Sequence, residues 1–242
     1  MLHTFFSHLP AVSCATFSRH GGVSVGPYQS CNAGLHVGDN EENVHANRKR
    51  IKDQLGFACL VSAKQVHGDA VLVVNSIPGE DVEHPGYDAL VTDQPGVGLM
   101  IQQADCQAVM LFDPVRNVVA NIHSGWRGSV LNIIAQTVAT MTSCFATRPA
   151  DLHAAISPSL GPCCAEFRNH ATELPKSFLA YEASPDHFDF WAISRDQLAA
   201  AGVKQENIEI AGICTKCDHD YFSFRREKVT GRFASVIGLT KK

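Results

Sequence analysis

Short apolar runs parted by turn formers dominate the chain, falling at residues 11–18, 57–61, 70–74, 90–91, 97–101, 109–112, 118–122, 152–156, 208–213 and 233–239. β-Branched and aromatic side chains are frequent in them, as in sheet strands. Helical spacing is rarer. Asp39 or Asn40 can cap a helix in which Val44, Ile51 and Leu55 share one face and which Gly56 stops. Gly128 or Ser129 should open a second, with Val130, Ile133, Ile134, Val138 and Met141 as its apolar stripe. Its start adjoins the 124–128 loop, where free N–H groups suit an anion. A third should run from a Ser194 cap through Ala201, and residues 171–181 read as partly helical around Pro175.

Between the first strand and the first helix, Gly21, Gly22, Gly26, Pro27, Gly34 and Gly38 predict a long ordered loop, a kind of segment that is usually functional. It holds neither Gly-x-Gly-x-x-Gly nor Gly-Lys-Ser/Thr, the common nucleotide fingerprints. Strands and helices intermingle with no linker, repeat or low-complexity stretch. Residues 1–242 are therefore expected to form one mixed α/β domain.

Composition narrows the function classes. The 242 residues are 45% hydrophobic and 18% charged, a soluble globular balance. Twenty Lys+Arg face 24 Asp+Glu, for a net charge of −4 without long runs of either sign. That argues against nucleic acid or an anionic membrane as partner and favours a small molecule. No apolar run approaches the roughly 20 residues of a membrane helix. The N-terminal residues lack a basic segment followed by an apolar core, so they do not read as a secretory signal. The nine cysteines, an odd count, fit thiols in a reducing compartment. A cytoplasmic protein, monomeric or weakly self-associating, is the expectation.

The chemistry gathers around Cys106 and His123. Each adjoins an apolar run, and Asp113-Pro114 between those runs reads as a turn that returns the chain to the same sheet edge. His67, in Gln65-Val66-His67-Gly68, sits in a tight connection between two strands. His₂Cys is a ligand set for zinc that leaves a fourth position for water or substrate, and copper would accept the same ligands. A metal there makes bound water easier to deprotonate. Two other readings stay open: a buried thiol with two hydrogen-bonded imidazoles, or Cys106 as a nucleophile activated by a histidine.

Cys214-x-x-Cys217 has a metal-like spacing but needs two more ligands. His219 and Cys163-Cys164 are nearby in kind, yet adjacent cysteines are expected to point apart, so all four read as ordinary structural thiols. Arg48, Lys49, Arg50 and Lys52 cluster at a helix end, where they read as solvated charges or as one arginine reaching an anion. Arg225, Arg226 and Arg232 add cations near the C-terminus.

Phe17-Ser-Arg-His-Gly-Gly-Val-Ser-Val-Gly-Pro-Tyr28, Asn32 through Gly38-Asp39, Asn47-Arg48, Gln65-Val-His-Gly68, Ala104-Asp-Cys106, His123-Ser-Gly-Trp-Arg-Gly128, Gly161-Pro162 and the run from Cys214-Thr to Gly231-Arg232 occur in this order. Together they resemble the YfiH family, also called the laccase-domain or multicopper polyphenol oxidase family. The resemblance implies a layered α/β sandwich of mixed sheets with outer helices, similar to a bacterial toxin deamidase of the cytotoxic-necrotizing-factor type. It implies that His67, Cys106 and His123 are zinc ligands and catalytic residues. The activities implied are phosphorolysis of adenosine, inosine, guanosine and methylthioadenosine with inorganic phosphate as co-substrate, and adenosine deamination. Copper-dependent oxidation of phenols and removal of faulty peptidoglycan precursors are the alternatives the family carries. Under the phosphorylase reading, Arg48, Arg127, Arg225 and Arg226 become phosphate candidates. Asn32 and Gln65 become substrate contacts, and Asp105 is the nearest carboxylate for proton transfer. Ser124 stands where the family usually has alanine, and Cys163-Cys164-Ala-Glu-Phe-Arg-Asn169 replaces the usual segment after Gly-Pro.

Overall fold

The computed structural model describes residues 2–240. Two six-stranded mixed sheets stack face to face. The first contains β1 (Leu2–Thr4), β2 (Val12–Phe17), β3 (Cys59–Lys64), β5 (Val82–Pro85), β7 (Val97–Gln103) and β14 (Phe233–Leu239). The second contains β4 (Val71–Val74), β6 (Ala89–Thr92), β8 (Gln107–Asp113), β9 (Val118–Ser124), β10 (His153–Ile156) and β13 (Ile208–Ile210). Their orders are β1-β2-β14-β7-β3-β5 and β13-β10-β8-β9-β6-β4. A small hairpin, β11 (Glu182–Ser184) with β12 (His187–Phe188), stands apart from both.

The period-2 alternation of a strand explains why the long runs are apolar throughout. Along β8, Met110 and Phe112 pack between the sheets with Cys14, Leu99 and Ile237, while Val109 and Leu111 face the other way. That outer face is covered by α3 (Ile133–Phe145) and α5 (Phe190–Ala200) through Ile134, Val138, Met141 and Leu198. On the opposite side, α1 (Glu41–Leu55) lays Ile51 against the first sheet near Leu60, Met100 and Val236. The result is the expected layered α/β sandwich with outer helices. Among the described residues no helix is long and apolar enough to cross a membrane.

The α1 boundaries are those expected: Asn40 accepts from the N–H groups of Glu42 and Asn43, and Gly56 closes the helix at φ +75°. Two other starts differ from expectation. The helix placed at Gly128 or Ser129 begins earlier, as α2 (Trp126–Leu131), and breaks at Asn132 (φ +56°) before α3. Asn132 tolerates the left-handed conformation and its side chain caps α3 at Ala135. The break turns Val130 outward, so it leaves the apolar stripe. Ser194 does not cap α5: Asp189 does, accepting from the Ala192 N–H, whereas buried Ser194 bonds Gln107. α4 (His170–Glu173) and a 3₁₀ stretch (Lys176–Tyr181) flank Pro175, as its position foretells.

Arg48 is committed to this framework. Its guanidinium donates to the Ala33 carbonyl, the Ser62 hydroxyl and Glu83 Oε2, the last at 2.7 Å. It is therefore a buried ion-pair partner and not a phosphate ligand. Burial alone would raise Glu83, but Arg48's hydrogen bond and charge, with Gln102 and His36, outweigh it and bring the carboxyl down to about 2. A depressed carboxylate stabilises the fold above its unfolded value and stops doing so as pH falls through the folded one. We expect Glu83 to contribute on the order of 3 kcal/mol at pH 7, lost between about pH 5 and pH 2. Urea unfolding of wild type and Glu83→Gln across that range checks this: the gap between them should close toward pH 2. A gap independent of pH would refute it.

Candidate metal centre and cleft

One end of the sandwich collects the crossings between the sheets. β3 and β7 are parallel neighbours, so their C-terminal ends lie at the same edge. From each, the chain crosses to the second sheet, through residues 65–70 to β4 and through residues 104–106 to β8. His67 sits on the first crossing and Cys106 on the second. The β8–β9 hairpin, with Asp113 accepting from the N–H groups of Val115 and Arg116 in its turn, pairs Ala108 with His123 and Gln107 with Ser124. His123 thereby arrives beside Cys106.

The ligating atoms of His67, Cys106 and His123 lie within 4.8 Å of one another. Cys106 Sγ is 3.9 Å from His67 Nε2, and the two imidazoles meet edge to face. Zinc–sulfur and zinc–nitrogen bonds near 2.3 and 2.0 Å in a tetrahedron put sulfur and nitrogen about 3.5 Å apart, so the trio fits the ion. Gly125 is part of the fit. A Cβ there would stand 3.0 Å from Cys106 Sγ and 3.1 Å from His67 Cδ2, so a larger residue would press on two of the three side chains.

Asp88, which nothing in the sequence singled out, orients the group. It directly precedes β6, whose Ala89 pairs with Ile122, and this places its carboxylate at His123. Oδ1 bonds His123 Nδ1 at 2.8 Å and the His67 N–H at 2.9 Å, while Oδ2 accepts from the N–H groups of Val66 and Gly68. His123 thus turns Nε2 toward the trio, and His67 is held at φ +60°, a strained angle for its type. Burial would raise Cys106, but the charge and hydrogen bonding of His123, with His67, outweigh it and bring the thiol to about 6. Burial would lower His123; Cys106 and Asp88 instead raise it to about 9. The sulfur is thus disposed to the thiolate that a metal or an electrophile needs.

The trio forms part of the lining of a cleft of about 510 Å³. Trp126, Leu160, Phe167, Phe190 and Phe224 supply an apolar wall, and Lys64, Arg225 and Arg232 supply cations. Arg232 owes its place to register. Phe233 pairs with Gln103, so the residue before it faces the 104–106 crossing. Its Nη1 bonds the carbonyls of Thr230 and Gly231, and its Nε and Nη2 have no acceptor among the described residues.

The other expected contacts separate. Asn32 is buried outside the cleft, tying Gly34, Asp39 and the Arg232 N–H together. Gln65 lines the cleft, but its amide is clamped to the Gln102 backbone at both ends. Asp105 lines it at φ +87°, with one oxygen accepting from Thr215 and the other from the Arg225 N–H. Arg225 donates to the Cys164 and Glu166 carbonyls at the cleft wall. Arg226 is spent on carbonyls of residues 215–221 and on Glu227. Arg127 lies over the Trp126 ring on the exposed side, so the 126–128 segment gives the cleft its tryptophan and not its cation.

Adjacent Cys163 and Cys164 do not diverge as expected. Their sulfurs and those of Cys214 and Cys217 all lie within 4.8 Å of one another, because the turn after Gly161 bends both toward the second pair. None of the nine cysteines, all among the described residues, is in a disulfide.

Residues 13–240 match the family model described as multi-copper polyphenol oxidoreductase laccase. The chain is 36% identical to purine nucleoside phosphorylase YlmD of Geobacillus stearothermophilus, over 91% of this chain and 88% of that protein. It is 35% identical to purine nucleoside phosphorylase YfiH of Shigella flexneri, over 94% of each. The crystal structure of the hypothetical protein YfiH of Bacillus licheniformis superposes with a TM-score of 0.87 at 32% identity, covering 95% of this chain and 93% of that one. Fold, motif order and these likenesses agree: the chain belongs to the YfiH/YlmD family of laccase-like domains.

Proposed function

We propose that this chain is a purine nucleoside phosphorylase acting in the cleft, with a zinc ion held by His67, Cys106 and His123. The observation that carries the reading is the union, in one cleft, of that trio, an aromatic wall and an arginine with unused donors. The relatives' names point the same way. The substrates we assign are adenosine, inosine, guanosine and methylthioadenosine, with inorganic phosphate as co-substrate. When bound, zinc supplies Lewis acidity toward a substrate oxygen.

The chain's own residues divide the remaining work. Phe167, met edge-on by Trp126, offers a stacking face for the purine, an interaction worth about 1–3 kcal/mol per base. Arg232, with Lys64 at the rim, holds the phosphate dianion through paired N–H donors. Asp88 positions His123 and His67 without touching substrate. The phosphate oxygen then attacks the ribose C1′ as the C1′–N9 bond breaks, and the purine leaves with the electron pair. Copper oxidation of phenols is less well served, since the cleft presents a single trio.

Phosphorolysis is favoured over adenosine deamination for a specific reason. Zinc deaminases pair the metal with a carboxylate that moves protons. Asp105 is the carboxylate lining this cleft among the described residues, and both its oxygens are already engaged.

Purified, metal-quantified protein given inosine and phosphate should form hypoxanthine and ribose-1-phosphate, and neither when phosphate is omitted. Absence of purine turnover by zinc-replete protein would overturn the proposal, and phosphate-independent conversion of adenosine to inosine would replace it with deamination. Arg232→Ala should raise the phosphate KM about 10- to 100-fold, the worth of one charged hydrogen-bond pair, while Arg127→Ala stays within about twofold of wild type. Phe167→Ala should act on the nucleoside KM instead. Asp88→Asn should weaken zinc affinity about 10- to 100-fold by competition with a chelator, with secondary structure retained. Unchanged affinity would remove Asp88 from the metal centre.

A further inference from the structure

We propose a second zinc site, formed by Cys163, Cys164, Cys214 and Cys217, that clasps two walls of the cleft together. Cys217 Sγ lies 3.5 Å from Cys164 Sγ and 3.8 Å from Cys163 Sγ. A tetrahedron of zinc–sulfur bonds near 2.3 Å separates its sulfurs by about 3.8 Å. These two spacings match that tetrahedron, the other sulfur pairs lie within 4.8 Å, and both spacings are far longer than the disulfide bond of about 2.05 Å.

The backbone is arranged for it. Gly161 accepts from the N–H groups of Cys164 and Ala165, making the turn that aims neighbouring cysteines at one point. In the second pair, Cys217 and Asp218 donate to the Cys214 carbonyl and close a tight Cys-x-x-Cys turn. Tetrahedral all-sulfur coordination selects zinc or iron–sulfur chemistry over hard cations. A lone ion fits the observed spacing, whereas a cluster would force the sulfurs apart. Four thiolates and Zn²⁺ carry a net charge of −2, and Arg225 and Arg226 both bond carbonyls of the clasp segments.

The four cysteines are not among the residues lining the cleft, but the segments they join are. Ala165 and Phe167 follow the first pair, and Phe224 and Arg225 follow the second. Arg225 bonds the Cys164 and Glu166 carbonyls, Ser159 bridges to Cys214, and Thr215 holds Asp105. The ion would fix these walls at the spacing a bound nucleoside meets, a structural role with all four positions filled by protein.

Metal content tests this independently of turnover. The full chain, purified without an affinity tag under reducing conditions, should carry two zinc equivalents by mass spectrometry. Cys217→Ser should lower that to one, Cys106→Ala to one, and the double variant to none. Cobalt-substituted Cys106→Ala should show the sulfur-to-cobalt charge-transfer bands of four-thiolate coordination. If Cys217→Ser fails to fold, titrating wild type with an organomercurial should release the second zinc in step with the modification of four thiols. One equivalent in wild type, lost with Cys106→Ala and unchanged in Cys217→Ser, would overturn the proposal. So would iron in place of zinc, or thiol counts showing these cysteines oxidised in pairs.

Discussion

A single buried carboxylate holds the working end of this protein together. Asp88 receives three successive backbone N–H groups from residues 66–68 and the imidazole of His123. A fully buried carboxylate is costly unless its lone pairs are filled, and here the filling and the architecture are the same act. The loop satisfies Asp88 in the strained conformation that presents His67. The charge-assisted bonds offset that strain, which ordinarily costs about 1–3 kcal/mol.

The layering serves the same end. Each sheet is covered on both faces, so the central strands are rigid and the crossings between sheets are short. The candidate site's side chains sit on or beside those crossings, where strand ends fix the backbone and no ladder claims the side chain. The cleft draws its apolar wall from segments after residue 124 and its polar floor from the strand ends.

How much of this was legible follows from the range of each constraint. Runs such as 97–101, 109–112, 118–122 and 233–239 are apolar on both faces, so the strands were plain. The Asp113-Pro114 turn, which returns the chain to the same sheet edge, predicted the meeting of Cys106 and His123. Asp88 was not legible, and Arg232 only as one more cation near the C-terminus, because their places in the candidate site come from pairing with strands far away in sequence. Arg48 was misread for the matching reason: a buried arginine and a surface one look alike until Glu83 is found beside it. The paired cysteines failed on a local rule, since a glycine turn can aim neighbours at one point. Asn132 shows that one residue in a left-handed conformation splits what spacing reads as a single helix.

The strand order has a consequence in time. β14, the last strand in the chain, lies between β2 and β7, in the interior of the first sheet. Until residues 233–239 are available, the N-terminal strands have no bridge to β7, and Arg232 has no fixed seat. A nascent chain can therefore preassemble the β8–β9 hairpin, whose contacts are local, but not the first sheet, whose closure joins residues more than 200 positions apart, as Ser235 and Thr16 are. Assembly of the cleft waits for residues 233–239, and a chain that lacks them exposes the edges of β2 and β7 that β14 otherwise pairs.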